Sequence, residues 1–391
     1  MYRPFTRIFT LVIASAMLLA ACTPQAAPAV PAEPEIQTSP AALATVDERP
    51  APITPEPEQT GFTVTDALGR EVYFETAPQR IVLTGRAWFQ LVDAIYAFPA
   101  SDERLIAIGD RFQGSMDIFS LLDSNFAAKT LLDRDASAEQ IAALQPDLVM
   151  MKSYLAESQG KPLEVLGIPV IYLDLETPEQ YQRDLQTIGL LFQDDARTSE
   201  VLAYFQGMAE QVTSKTAGLS DADKPSVLLI YYDDRDGEMA VQVPPLSWLQ
   251  TSLVEMAGGR PVWRDIELGN GWTRVNFEQI AVWNPDKIFV VAYNKPVAEA
   301  VGILQDDPQW QALDAVKNGE MYAFPSAHFS WDQPDTHWVL GLNWLATRIQ
   351  PALFADLNME EETRQFYATL YGLDEATYLQ HIQPRITGDY P

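Results

Sequence analysis

Cationic and aromatic side chains recur just after the predicted strands of this 391-residue chain, at positions where they could hold a ligand. Arginine and lysine bind carboxylate, phosphate and oxyanion groups, whereas aromatic faces pack against an organic or macrocyclic body. The residues at these positions are Arg86, Trp88, Arg111, Lys152, Tyr154, Arg235, Tyr293, Lys295, His328 and Trp331. Trp272 and Arg274, just ahead of a predicted helix, join them. We predict eight ligand contacts: Arg86, Trp88, Tyr154, Trp272, Arg274, Tyr293, His328 and Trp331. For any one of them the alternative is local packing or pairing with a surface carboxylate.

The three histidines do not have the spacing of a zinc or manganese site, which needs several neutral imidazoles. We therefore predict no residue that binds a metal directly. His328, in a loop, is predicted to contact the ligand, whereas His337 and His381 fall in helical patterns and are predicted to be structural. Tyr154 and Tyr293 leave two roles open, since a tyrosine can ligate iron as a phenolate or can hydrogen-bond and stack.

Motifs that would indicate catalysis are missing from the sequence. It contains no G-x-S-x-G elbow, no H-E-x-x-H, no P-loop and no G-x-G-x-x-G after a strand. Acidic pairs such as Asp233 and Asp234 are typical of solvated loops in a chain with 54 acidic residues. The sequence therefore predicts a binding protein without a cofactor, and an exported enzyme or a surface sensor is the less favoured class.

The elements that position these residues alternate between apolar strands and amphipathic helices, a pattern that predicts α/β layers around mainly parallel sheets. Predicted strands cover 80–83, 105–108, 147–151, 169–173, 226–231, 287–292 and 321–324. Between the two groups of strands, apolar residues recur at helical spacing over 194–218. A helix of that length spans roughly 35 Å and can join two lobes. We therefore assign an N-terminal lobe to 61–193, an inter-lobe helix to 194–218 and a C-terminal lobe to 219–391.

An internal repeat supports the two lobes. The segment SAEQIAALQPDLV at 137–149 matches NFEQIAVWNPDKI at 276–288, with identical residues at six of thirteen positions and no gap. In each copy a capping residue, Ser137 or Asn276, precedes a short helix, and Pro-Asp then leads into a buried strand. The tyrosines that follow these strands, Tyr154 and Tyr293, stand at the carboxyl ends of the strands, where open α/β sheets bind ligands.

The chain resembles the metal-chelate branch of the ABC-transporter substrate-binding proteins over nearly its whole length beyond residue 60. The matching stretches occur in the family's order and are VTDALGREV, SAEQIAALQPDLV, LGIPVIYLD, SWLQTSLVEMAGG, NFEQIAVWNPDKI, DDPQWQALDAVKNGEMYAFP and GLNWLATRIQPALF. The resemblance implies two Rossmann-like lobes joined by one long helix, with the ligand in the cleft between them. It also implies a role in an ABC importer, for an iron chelate such as a siderophore or haem; a corrinoid, molybdate or tungstate stays an alternative.

The same resemblance assigns a partner-binding role to two glutamates. Members of this family dock on a two-fold permease, which works with an ATPase, through one glutamate from each lobe. Glu139 and Glu278 match those positions, and they stand at the same place in the two repeats. A symmetric partner needs equivalent charges on both lobes. The alternative is that each carboxylate only favours the positive end of its helix dipole.

The N-terminus predicts export and attachment to a membrane. Arg3 and Arg7 precede an apolar run that is short for a membrane span, as in a signal peptide, which we assign to 1–21. The run ends in a sequence resembling a lipobox, and its Cys22 is the only cysteine of the chain. The Pro-, Ala- and Glu-rich segment 22–60 is predicted to be a disordered tether. Without the signal peptide the chain has 24 basic and 54 acidic residues, and this excess of negative charge argues against a nucleic-acid partner. We therefore predict a lipid-anchored protein on the extracytoplasmic face of the cell membrane.

Overall fold

A computed structural model describes residues 61–110, 116–235 and 237–391. The predicted signal peptide, Cys22, the tether and Arg111 lie outside the described residues. None of the helices in the described part of the chain combines the length and the apolar character that a membrane span requires.

Two sheets form the centre of the structure. In the first sheet five strands run parallel in the order β5-β4-β3-β6-β7, and their bounds are β3 Ile81–Leu83, β4 Leu105–Gly109, β5 Thr130–Leu132, β6 Leu148–Lys152 and β7 Val170–Leu173. In the second sheet the order is β11-β9-β8-β12-β13, with β10 beside β8; the bounds are β8 Ser226–Asp233, β9 Ala240–Val243, β10 Arg260–Pro261, β11 Thr273–Arg274, β12 Lys287–Val291 and β13 Met321–Ala323. The prediction of an α/β fold with mainly parallel sheets is confirmed.

Helices cover the faces of both sheets. The first half contains α1 Phe89–Tyr96, α2 Ser101–Arg104, α3 Phe119–Leu122, α4 Ala138–Ala142, α5 Lys161–Val165 and α6 Pro178–Phe192. The second half contains α8 Leu249–Met256, α9 Phe277–Trp283, α10 Val297–Asp306, α11 Asp314–Lys317, α12 Trp338–Ile349, α13 Met359–Tyr371 and α14 Glu375–Thr377. Because both faces are covered, the central strands are almost continuous apolar runs, as in Ile81–Leu83, which is fully buried.

A hairpin opens the described chain. Strands β1 Phe62–Thr65 and β2 Glu71–Phe74 pair antiparallel across a turn at 66–70. The buried Asp66 carboxylate accepts the backbone N–H groups of Leu68 and Arg70 at 3.0 Å and pairs with the Arg70 guanidinium. These bonds hold the tight turn that the pair of strands needs.

One long helix, α7 Asp195–Thr216, connects the two halves. It begins where the Asp194 side chain accepts the Arg197 N–H at 2.9 Å. Its buried residues Val201, Phe205, Met208 and Val212 recur at helical spacing and face α6 and α12. The helix therefore packs against elements that precede it and elements that follow it in the chain.

The repeated segment folds alike in both halves. Ser137 and Asn276 cap α4 and α9 by accepting the N–H of the glutamine three residues on, at 3.3 and 2.8 Å. The aspartate of each Pro-Asp turn then anchors a neighbouring strand: Asp147 accepts the Arg80 N–H at 2.8 Å, and Asp286 accepts the Ser226 N–H at 2.7 Å. Residues at equivalent positions of the two repeats therefore have equivalent structural roles.

Candidate ligand-binding site

A cleft of about 670 Å³ lies between residues of the two halves. Its lining from the first half is Ala87, Phe89, Gln90, Tyr154 and Glu176, and its lining from the second half is Tyr231, Arg235, Trp248, Gln250, Trp272, Tyr293, Asn294, Gln333 and Pro334. This volume is within the range of sites that bind organic ligands.

Four aromatic rings form one wall of the cleft. Tyr231 lies 4.8 Å from Tyr293 and 5.3 Å from Trp272, and Trp248 meets Trp272 edge-on at 5.7 Å, all measured between ring centroids. Tyr231 lies near the end of β8, and Tyr293 follows the end of β12, so neighbouring parallel strands bring them together. We call Tyr231, Trp248, Trp272 and Tyr293 the aromatic wall; its faces suit a flat, apolar ligand group.

A buried carboxylate orients one ring of this wall. The Tyr293 hydroxyl donates to Asp332 Oδ2 at 2.5 Å, and the Gln250 amide donates to the same oxygen at 3.2 Å. Burial and the adjacent Asp332 raise the pKa of Tyr293 well above its usual value, and burial raises the pKa of Asp332 to about 6. Tyr293 is therefore protonated at neutral pH, which favours hydrogen bonding and stacking over iron ligation as a phenolate.

Charged groups in the cleft are paired within the protein. Arg235 donates to both oxygens of Asp233, at 2.9 and 2.7 Å, and this lowers the pKa of Asp233 to about 2. Glu176 accepts from the buried Lys152 at 2.7 Å. Each charge in the lining thus has an opposite charge beside it, so the cleft does not present a strong net charge to its ligand.

The structure brings three of the eight predicted contacts into the cleft, namely Tyr154, Trp272 and Tyr293. Tyr154 is 60% exposed, and its hydroxyl donates to the Arg86 carbonyl at 3.2 Å. The Arg86 side chain lies beside the cleft, in a surface depression that it shares with Tyr154 and Glu139. Arg274 lies exposed on β11, two residues from Trp272, and it is not part of the lining.

Two predicted tryptophan contacts are placed in the core instead. Trp88 is 2% exposed; its indole N–H donates to the Asp110 carbonyl at 3.1 Å, and its ring packs so close to Gly109 that no Cβ fits there. Trp331 is fully buried, with its ring edge-on to Tyr390 at 5.5 Å. Neither side chain is part of the cleft lining.

His328 lies in a smaller pocket beside the cleft. This pocket, of about 330 Å³, shares Tyr293 and Gln333 with the cleft. Burial lowers the pKa of His328 to about 3, so its imidazole is neutral at physiological pH. Neither ring nitrogen finds a hydrogen-bond partner among the described residues. His328 therefore lies next to the cleft and is not part of the cleft lining.

Comparison with known proteins places the chain in one family. The sequence profile described as "Periplasmic binding protein" matches residues 122–327, more than half of the chain. The molybdate-binding protein MolA of Haemophilus influenzae is 22% identical over 60% of this chain and 69% of its own length. The petrobactin-binding protein YclQ of Bacillus subtilis is 24% identical over 50% of this chain and 60% of its own length.

Solved structures show the same fold. A periplasmic solute-binding protein from Veillonella parvula superimposes with a TM-score of 0.67, covering 82% of this chain and 97% of that protein at 23% identity.

Proposed function

Since the chain belongs to the periplasmic binding protein family, it is an extracytoplasmic solute-binding protein of an ABC transporter, and we propose that its ligand is an iron chelate with an organic body, of the siderophore or haem kind. The observation that carries this proposal is the aromatic wall in a cleft whose charges are paired. Such a wall contributes to binding through contact area, which an organic chelator offers and a small ion does not.

A bare oxyanion such as molybdate or tungstate is the main alternative for the same fold. A tightly held oxyanion needs hydrogen-bond donors on several sides at short range, and the cleft offers Arg235 with the amides of Gln90, Gln250, Asn294 and Gln333. Arg235 already donates to Asp233, and four aromatic rings would face an ion that cannot use them. The names of the two relatives, with molybdate in one and petrobactin in the other, do not decide between these ligands.

Identification of the bound ligand tests the proposal directly. The chain is produced in an iron-limited host, and whatever co-purifies is analysed by mass spectrometry and metal analysis. Tryptophan fluorescence is then titrated with a ferric siderophore, haem, a corrinoid and molybdate, because Trp248 and Trp272 line the cleft. Saturable binding of an iron chelate is expected; binding of molybdate or a corrinoid alone would overturn the proposal.

Replacing Trp272 with alanine is expected to weaken chelate binding about 30-fold. The change removes the ring that contacts Tyr231, Trp248 and Tyr293, and losing a central aromatic anchor costs about 2 kcal/mol. The measurement is the Kd of the chelate identified above, with circular dichroism to confirm the fold.

Tyr73→Ala provides the control for Trp272→Ala. Tyr73 is 45% exposed on the hairpin strand β2 and lies outside the cleft lining, so its loss should leave the Kd unchanged. Equal ligand affinities of the Trp272→Ala variant and the unchanged protein would show that the ligand does not bind at the aromatic wall.

The proposal includes attachment to a membrane through lipidated Cys22, docking on the permease through Glu139 and Glu278, and the absence of catalytic activity. Both glutamates are exposed in the first turn of equivalent helices, α4 and α9. Hydrogen bonds from its own backbone N–H and from Ser137 lower the pKa of Glu139, so it is ionised at neutral pH. An exposed, ionised carboxylate suits a contact with a basic patch on a partner.

A further inference from the structure

Three buried side chains from the two halves of the chain converge behind the cleft. Asp93 lies on α1, one helical turn after the cleft residues Phe89 and Gln90, while Asp335 and His337 precede α12. His337 Nδ1 lies 3.0 Å from Asp335 Oδ1 and 3.4 Å from Asp93 Oδ2, and all three residues are at most 3% exposed. One ligand atom of each lies within 4.8 Å of the other two.

One of the two tautomers of His337, the one with its proton on Nε2, leaves Nδ1 as an electron-pair donor towards the carboxylates. Its other ring nitrogen, Nε2, lies 2.9 Å from the Tyr367 hydroxyl, which can accept the Nε2 proton. A partner on the far nitrogen is the arrangement that fixes the tautomer of metal-binding histidines. Asp335 is also held in place, because its Oδ1 accepts the His337 backbone N–H at 2.8 Å.

Two buried carboxyl groups converge on a single imidazole in this cluster. Asp93 Oδ2 and Asp335 Oδ2 find no hydrogen-bond donor among the described residues, although both are buried. A proton on Nδ1 can be donated to Asp335 Oδ1, which lies 3.0 Å from Nδ1, whereas Asp93 Oδ2 lies 3.4 Å from Nδ1 and makes no hydrogen bond among the described residues.

We propose that Asp93, Asp335 and His337 bind a zinc ion that ties the two lobes together. Ligands around a tetrahedral zinc ion, each about 2.1 Å from the metal, lie about 3.4 Å apart, close to the separations of 3.0 and 3.4 Å at Nδ1. One nitrogen with carboxylate oxygens fits zinc better than calcium, which takes six to eight oxygens. Histidine spacing did not indicate this site because two of its three ligands are carboxylates.

The ion would be a structural component, separate from the transported ligand. It would join α1 of the first lobe to the start of α12 in the second, next to the cleft residues Gln333 and Pro334. This inference does not depend on which ligand occupies the cleft. It makes zinc a determinant of how firmly the lobes are held relative to each other.

Zinc analysis of the purified chain tests the site. One zinc per chain is expected by mass spectrometry after growth with added zinc, and removal of zinc with a chelator should lower the midpoint of thermal unfolding, which added zinc restores. The absence of stoichiometric zinc together with an unfolding midpoint that does not respond to zinc would overturn the proposal in favour of a shared proton.

Isosteric variants distinguish ligands from neighbours. Tyr367→Phe removes only the partner of Nε2 and should weaken zinc binding by roughly 10- to 100-fold. Asp93→Asn removes a ligand and should weaken zinc binding by more than that. His381→Gln changes a histidine outside the cluster and should bind zinc as the unchanged protein does. If the folded Asp93→Asn variant retained its zinc affinity, or if the folded His381→Gln variant lost it, the assignment of these three ligands would be wrong.

Discussion

The double variant Glu139→Ala/Glu278→Ala is expected to bind its ligand with unchanged affinity and to lose most ligand uptake. Both carboxylates are exposed and lie outside the cleft lining, so the binding site stays intact. If each makes one charged hydrogen bond to the permease, their loss costs about 3 to 6 kcal/mol, which weakens docking by about 100-fold or more. Uptake of labelled ligand by cells and stimulation of the transporter's ATPase measure the effect.

A matched control separates docking from helix stabilisation. Glu179 and Glu360 are also exposed in the first turns of their helices, α6 in the first half of the chain and α13 in the second. Each contributes the same favourable interaction with its helix dipole, about 0.3 to 1 kcal/mol. Glu179→Ala/Glu360→Ala should therefore lose a similar amount of stability and keep normal uptake. Equal uptake by the two double variants would show that Glu139 and Glu278 do not dock on the permease.

The sequence predicts the layers of this fold because the strands that form them are nearly all apolar. β8 is buried along seven of its eight residues, and such a run between helical patterns is a strong signal. The sequence does not predict strands β5, β9, β10 and β11, because they are short and lie towards the edges of their sheets. Their pairing depends on neighbours distant in the chain, which local patterns do not report.

The candidate site could be predicted only in part, because distance from a strand end does not give the direction of a side chain. Tyr154 and Tyr293 closely follow parallel strands and reach the cleft. Trp88 points into the core while its neighbour Phe89 lines the cleft, and Trp331 is buried while Gln333 lines it. A shift of one or two residues in a turn decides which side chain meets the ligand.

Other cleft residues gave no signal that a single sequence carries. Gln90, Gln250 and Asn294 are ordinary polar residues until the fold brings their amides to one cavity. The cluster of Asp93 with Asp335 and His337 is a stronger case, since Asp93 lies more than 240 residues before the other two in the sequence. Contacts of this kind follow from the packing of α1 against the start of α12, and no periodicity within either segment predicts them.

The variant Cys22→Ala is expected to carry no lipid and to leave the membrane fraction completely. Lipidation needs a thiol as the acceptor, and Cys22 is the only cysteine in the chain, so no other residue can replace it. Cys22 lies outside the described residues, and the test is therefore biochemical: incorporation of labelled fatty acid and distribution between membrane and soluble fractions. Ligand affinity should not change, because the cleft is built entirely from residues beyond 86.

Thr23→Ala serves as the neighbouring control, since it changes the next residue and leaves the thiol in place. It should incorporate the label and stay with the membrane. Because buried acyl chains hold a lipidated protein in the membrane, the unlipidated variant should be released without detergent, whereas the control should need it. Label found in Cys22→Ala would exclude Cys22 as the acceptor, and an unlabelled protein that still sedimented with membranes would show that something other than a lipid holds it there.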